Sequence, residues 1–228
     1  MRGSRGVRPD PPEISLDLRK ATVEELITFV FRRRAKGRSA GAKEWYWTTN
    51  YRLDVDPQVQ IAFMTKLFRR SGRLRRRFSE GQIEDGFWFM IGPGGQEWFR
   101  DQLWNRDVPW QHRRACILSI PHLYKGVFRR SVESIDFMLW DLLTEDYRFD
   151  NLLPKWKPET NRVRRTMLEA LAAQLRLPHL TAQYSALHGL GHIGLPRARK
   201  ILRTYLGKPR LRSEYRRYAE EALRGKLL

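Results

Sequence analysis

The sequence predicts an all-α protein. Apolar residues recur at three- and four-residue spacing along most of the 228 residues, and helix-capping residues stand in front of several of those stripes. Alternating runs of β-branched residues, the signature of strands, are scarce. A chain of this length buries roughly 70–75% of its unfolded surface, so one substantial core needs no covalent staples. The single cysteine, Cys116, excludes an internal disulfide and any multi-cysteine zinc module.

The elements are expected in the following order. Residues 1–20 form a basic arm whose first part, Met1 to Pro12, is rich in Gly, Pro and Arg. Thr22 then caps a helix with Glu25 at the capping-box position, and Val23, Leu26, Ile27 and Val30 supply its stripe. That helix runs out through Arg32, Arg33, Arg34 and Lys36 before Gly37, cations that suit a helix C-terminus. Trp45, Tyr46, Trp47 and Tyr51 read as a strand or a lid over the core.

Asp56 followed by Pro57 opens the next helix, with Val59, Phe63, Leu67 and Phe68 as its buried face. Ser79 and Gln82 form a second capping box ahead of Ile83, Phe87 and Met90; the Gly92 to Gly95 turn ends that helix. Trp98, Phe99 and Leu103 predict a short helix. From Trp110 a stripe of Ile117, Ile120, Tyr124 and Val127 continues, kinked at Pro121. Val132, Ile135, Leu139 and Leu142 make another, and Thr144 to Pro158 reads as a connection before a helix over about Asn161 to Leu175. Residues 21–176 are thus one helical domain, and residues 177–228 a unit packed on it.

That last unit carries the most specific pattern in the chain. The run Ala186-Leu187-His188-Gly189-Leu190-Gly191-His192-Ile193-Gly194-Leu195-Pro196, followed by Ala198, Leu202 and Leu206, resembles a HEAT-like repeat of the phycobilisome-lyase type. The restart of such a repeat is echoed in Arg216, Ala219, Ala222 and Leu223. Gly194 and Pro196 make a tight helix–turn–helix junction, and the Ala-Leu pairs at 186/187 and 222/223 lie 36 residues apart, within the period of helical repeats. The resemblance implies an α-solenoid-like array ending in a HEAT-like unit, a scaffold that serves many partners and by itself names none.

Charge narrows the partners. Forty-four Lys and Arg against 25 Asp and Glu leave a net charge of +19, a surplus that attracts polyanions at long range. Arginine dominates, and its planar fork matches phosphate. Three clusters stand out: Arg69, Arg70, Arg73, Arg75, Arg76 and Arg77; Arg162, Arg164 and Arg165; and Arg197, Arg199, Lys200 and Arg203. Gathered on one surface, they would form a phosphate-binding track.

Catalytic signals are weak beside this. His188 and His192 have the four-residue spacing of a metal pair, yet Gly189 stands where a metalloprotease has its glutamate, and spacing marks no third ligand; packing is the expected role. Trp140 and Asp141 invite comparison with HEAT-like DNA glycosylases, which use tryptophans and an aspartate around a damaged nucleotide. No Walker loop, nucleophile elbow or dinucleotide fingerprint occurs. The sequence therefore predicts no catalytic residue, no metal and no cofactor. No apolar run is long enough for a membrane span, and no secretory h-region follows the N-terminal arginines. The expectation is a cytoplasmic, non-enzymatic protein that binds DNA or RNA mainly through phosphates, with an acidic protein partner as the alternative.

Overall fold

A computed structural model describes residues 14–17, 21–32, 51–92, 98–132, 134–144, 157–193 and 195–227. Among them the fold is helical apart from two four-residue strands, β1 (Ile14–Asp17) and β2 (Tyr51–Asp54), which pair in parallel with Ile14 opposite Tyr51. The helices are α1 (Val23–Phe31), α2 (Pro57–Arg70), α3 (Glu80–Ile91), α4 (Trp98–Asp101), α5 (Trp110–Ser119) and α6 (Pro121–Lys125). They continue as α7 (Ile135–Thr144), α8 (Lys157–Gln174), α9 (Leu180–His192), α10 (Pro196–Leu206) and α11 (Ser213–Arg224). Short 3₁₀ turns cover Ser71–Arg76 and Val127–Arg129. The expected aromatic patch at Trp45, Tyr46 and Trp47, the helix exit beyond Arg32, most of the Thr144 to Pro158 connection and Gly194 lie outside the described residues.

The local rules act where the sequence placed them. At α1 the Thr22 backbone N–H donates to Glu25 Oε2 at 2.7 Å and the Glu25 N–H donates back to Thr22 Oγ1 at 3.2 Å. Ser79 and Gln82 repeat the arrangement at α3, and Asp56 accepts from the N–H groups of Gln58 and Val59 ahead of α2. Each such cap is worth about 1 kcal/mol. Pro121 interrupts the helical run: α5 ends at Ser119, α6 starts with Pro121 at its first position, and Ile120 between them stays helical at φ −54, ψ −42.

Packing builds one continuous core from these parts. Gly86 lets α3 close on α1, since a Cβ there would stand 2.3 Å from the Phe31 ring. Phe31, Phe87, Phe128 and Tyr124 then run as a chain of edge-on and tilted rings through the interior. Polar ties cross it. Glu84 of α3 reaches across to the start of α7, accepting from Ser134 N and Oγ and from Ile135 N, so a carboxylate from another helix caps α7. Arg113 of α5 is buried and donates to the carbonyls of Val108 and Leu103 and to Glu159 of α8.

The C-terminal helices are continuous with this core. Helix α9 packs against α7 and α8 on one side and α10 and α11 on the other. Gln174 joins three helices: its Oε1 accepts from the Trp140 indole at 3.0 Å and its Nε2 donates to the Ala182 carbonyl. Ala198, Leu202 and Tyr205 are the buried stripe of α10, and Tyr215, Ala219 and Ala222 that of α11. Gly225 ends α11 in the left-handed region at φ +67, a conformation that favours glycine.

Candidate functional site

The predicted basic residues separate into different environments. Arg75 is half-buried and spends its guanidinium on the protein: Nε donates to Val127 O at 2.7 Å, one terminal nitrogen to Arg130 O at 2.8 Å, and the other to Glu80 at 2.6 Å. Arg77 pairs with Glu24 at 2.5 Å. Arg69, Arg70, Arg73 and Arg76 are exposed, and among the described residues no carboxylate pairs with them. Burial, with the nearby positive charges of Lys125 and then Arg69 added, holds the His122 imidazole below its usual pKa.

The second cluster divides likewise. Arg162 lies over the Trp110 ring at 4.3 Å, with Glu159 at 3.8 Å. Arg164 is half-buried and donates to the Ile193 carbonyl at the end of α9. Arg165 stays exposed.

The third cluster meets a cavity. A cleft of about 490 Å³ opens between α8 and α10, lined by Arg176, Arg197, Lys200 and Lys208 together with apolar Leu175 and Ile201. Among the described residues no carboxylate lines it. Arg197, Lys200, Ile201 and Thr204 recur at three- and four-residue spacing and so share one face of α10. Arg199 and Arg203 fall on a different, exposed face. Tyr205 closes the inner side; its hydroxyl donates to Gln183 at 2.6 Å and Lys208 stands 4.4 Å above its ring. Burial pushes that phenol up to about 12, so it remains a neutral donor.

The single common track expected from the sequence therefore needs correcting. Only Arg197 and Lys200 of the predicted residues line the cleft, and the structure adds Arg176 and Lys208. Arg165 sits on the stripe of α8 that carries Ala172, seven residues and so about 10 Å along the helix, and Arg176 follows just past the helix end at Gln174. Arg75 and Arg164 are structural because their donors satisfy carbonyls at the ends of other segments.

A second cluster was expected to be mere packing. His188 and His192, on one face of α9, converge on Asp141 of α7. His188 Nε2 lies 2.6 Å from Asp141 Oδ2, His192 Nε2 lies 3.6 Å from Oδ1, and the three donor atoms fall within 4.8 Å of one another. The Tyr218 hydroxyl of α11 stands 2.7 Å from His188 Nδ1, and Phe137 packs on the imidazole at 4.2 Å. With its proton on Nε2, His188 donates to Asp141 and accepts from Tyr218. Burial, with Asp141 and Glu221 adding negative charge, raises the Tyr218 phenol far above its usual value, so it keeps its proton.

Gly189 has a steric explanation: a Cβ there would meet the Trp140 Cβ at 2.7 Å and a Leu171 methyl at 2.9 Å. Trp140 itself is fully buried and offers no face for stacking on a nucleotide. No helix of the described residues is long and apolar enough to cross a membrane.

Comparison with known protein families, with curated proteins and with solved structures returns no match to this chain. The chemistry of both regions rests on their own geometry.

Proposed function

We propose that this protein binds nucleic acid through backbone phosphates, as a non-enzymatic binding protein anchored at the α8–α10 cleft. The observation that carries the reading is the meeting of Arg176, just past α8, with Arg197 and Lys200 of α10 and Lys208 just past it, around one cavity that no carboxylate among the described residues lines. Four like charges at close range repel one another, and a bound polyanion relieves that repulsion. Arg165 along α8 and exposed Arg199 and Arg203 on α10 extend positive charge beyond the cleft without adding a buried partner. Tyr205 is buried and Arg162 lies over Trp110, so neither of these two rings offers an open face for base stacking. Recognition therefore works through shape and charge rather than base edges.

In this reading α9, α10 and α11 are a HEAT-like unit stacked on α7 and α8. The small buried residues Ala186, Ala198, Ala219 and Ala222 let its helices lie close. Its second helix then supplies one wall of the cleft.

The test is binding of duplex DNA and duplex RNA by fluorescence anisotropy across a salt series. Engagement of four phosphates gives a log–log slope of roughly −3.6 on duplex DNA, and Arg197→Ala with Lys200→Ala reduces it by about 2. A flat salt response, or a slope unchanged in that double variant, overturns the reading. Capture of an acidic protein that survives nuclease treatment, with no nucleic acid bound, moves the partner to the protein class.

A further inference from the structure

We propose that Asp141, His188 and His192 form a binding site for one divalent transition-metal ion of the zinc type, independent of the basic cleft. The ligand set is one carboxylate and two imidazoles, donors that suit zinc and its neighbours rather than magnesium or calcium.

The geometry is close to what such an ion needs. Zinc bonds of about 2.0–2.1 Å in a tetrahedral arrangement place ligand atoms roughly 3.3 Å apart. His192 Nε2 stands 3.6 Å from Asp141 Oδ1 and His188 Nε2 2.6 Å from Oδ2, so the imidazoles approach the two oxygens of one carboxylate, and the three donor atoms fall within 4.8 Å of one another. An ion among them needs the His188 contact to open by under about 1 Å. The proton now shared between His188 and Asp141 occupies the place the cation takes.

A purely structural hydrogen-bonded chain explains less. Tyr218, His188 and Asp141 would form that chain alone, through Oδ2. It leaves Asp141 Oδ1, which is shielded from solvent, accepting no hydrogen bond among the described residues. His192, one helical turn on, turns its Nε2 to that same oxygen. A cation among the three donors satisfies that oxygen.

The surroundings complete the site. His188 is held deep, with its side chain 2% exposed, while Asp141 and His192 are 19% and 25% exposed. The buried imidazole fixes the inner ligand, while Asp141 and His192 reach the edge of the core with the donor atoms Oδ1 and Nε2 themselves shielded from solvent. Tyr218 serves as the outer partner. When Nε2 takes the metal, the His188 proton moves to Nδ1 and the phenol oxygen accepts it at the same 2.7 Å separation. Phe137 against the ring holds its plane.

The experiment is titration of the full chain, freed of metal by chelation, with Co²⁺ alone, followed by visible absorption and by calorimetry. The expected result is one ion per chain with tetrahedral-type d–d bands. His192→Ala and Asp141→Asn each lower affinity at least about tenfold, and Tyr218→Phe lowers it about tenfold while keeping the band shape. Thermal melts add a second readout, since saturating Zn²⁺ raises Tm in the wild type but not in His192→Ala. Absence of visible bands overturns the proposal. So does Co²⁺ affinity unchanged in both His192→Ala and Asp141→Asn, which places the ion on His112, His122 or His179 instead.

Discussion

Gly189 of α9 lies directly against Trp140 of α7, so close that an added Cβ would stand 2.7 Å from the tryptophan Cβ. This contact sets the separation of the two helices, and the neighbours of those two residues are His188 and Asp141. Gly189→Ala therefore forces α7 and α9 apart at the point where the carboxylate meets the imidazole. It should cost about 1–3 kcal/mol by urea denaturation and weaken metal binding at the Asp141 cluster. An alanine variant as stable as the wild type would show that the helices shift freely.

Glu84 provides a pH signature. Burial outweighs its hydrogen bonds from Ser134, Trp88 and Ile135 and holds its pKa above the ordinary 4.5. Between 4.5 and the raised folded value the native state binds more protons than the unfolded chain, so this group's contribution falls as pH rises. Glu84→Gln removes that trend. The stability of the variant relative to the wild type should rise from pH 4.5 toward neutrality, measured by denaturant titration at each pH. A difference that stays flat contradicts the burial argument.

Arginines in one cluster should behave oppositely. Arg75 donates to three carbonyls and Glu80, so Arg75→Ala should lose about 2–4 kcal/mol of folding stability. Exposed Arg73 should be within about 0.5 kcal/mol of neutral when changed to alanine. Thermal melts of the two variants make the comparison directly.

Cys116 reports on opening of the core. It is fully buried, and burial pushes its thiol up to about 12. A thiol reagent at mildly alkaline pH should leave the native chain unmodified and label one thiol per chain in denaturant. Fast labelling under native conditions would mean that α5 opens locally.

Metal removal gives the last comparison. If purified protein carries zinc, chelation should lower its Tm and Zn²⁺ should restore it, with Asp141→Asn insensitive to both. Equal melting with and without chelator in metal-loaded wild type would contradict a stabilising ion.

Much of the helical framework was legible because its causes are local. Thr22 with Glu25, Asp56 with Pro57, and Ser79 with Gln82 specify helix starts within four residues of chain. The stripes Phe63, Leu67 and Phe68, or Ala198, Leu202 and Tyr205, specify buried faces by periodicity alone. Pro121 marks the interruption between α5 and α6 from its missing N–H alone.

The functional regions were legible only in part. The third basic cluster was visible as a run, but which of its members face a cavity depended on the packing of α10 against the end of α8 and the following Arg176. His188 and His192 were visible as a pair and Asp141 as a separate residue. Nothing local joins them, since 47 residues separate Asp141 from His188. The expectation of mere packing rested on Gly189 and on the lack of a third ligand by spacing; the meaning of Gly189 is steric and belongs to the packing of α9 on Trp140.

By itself the amino-acid order determined the helical class, the helix starts, the excess of positive charge and the residue types available for chemistry. Those depend on hydrogen bonds and periodicities that close within a few residues, and on composition. The packing of α8 against α10, and of α7 against α9, decided which cations share a cleft and which donors share a centre. Such choices depend on side-chain volumes meeting across large sequence separations, where one missing methyl at Gly189 sets the distance between a carboxylate and an imidazole.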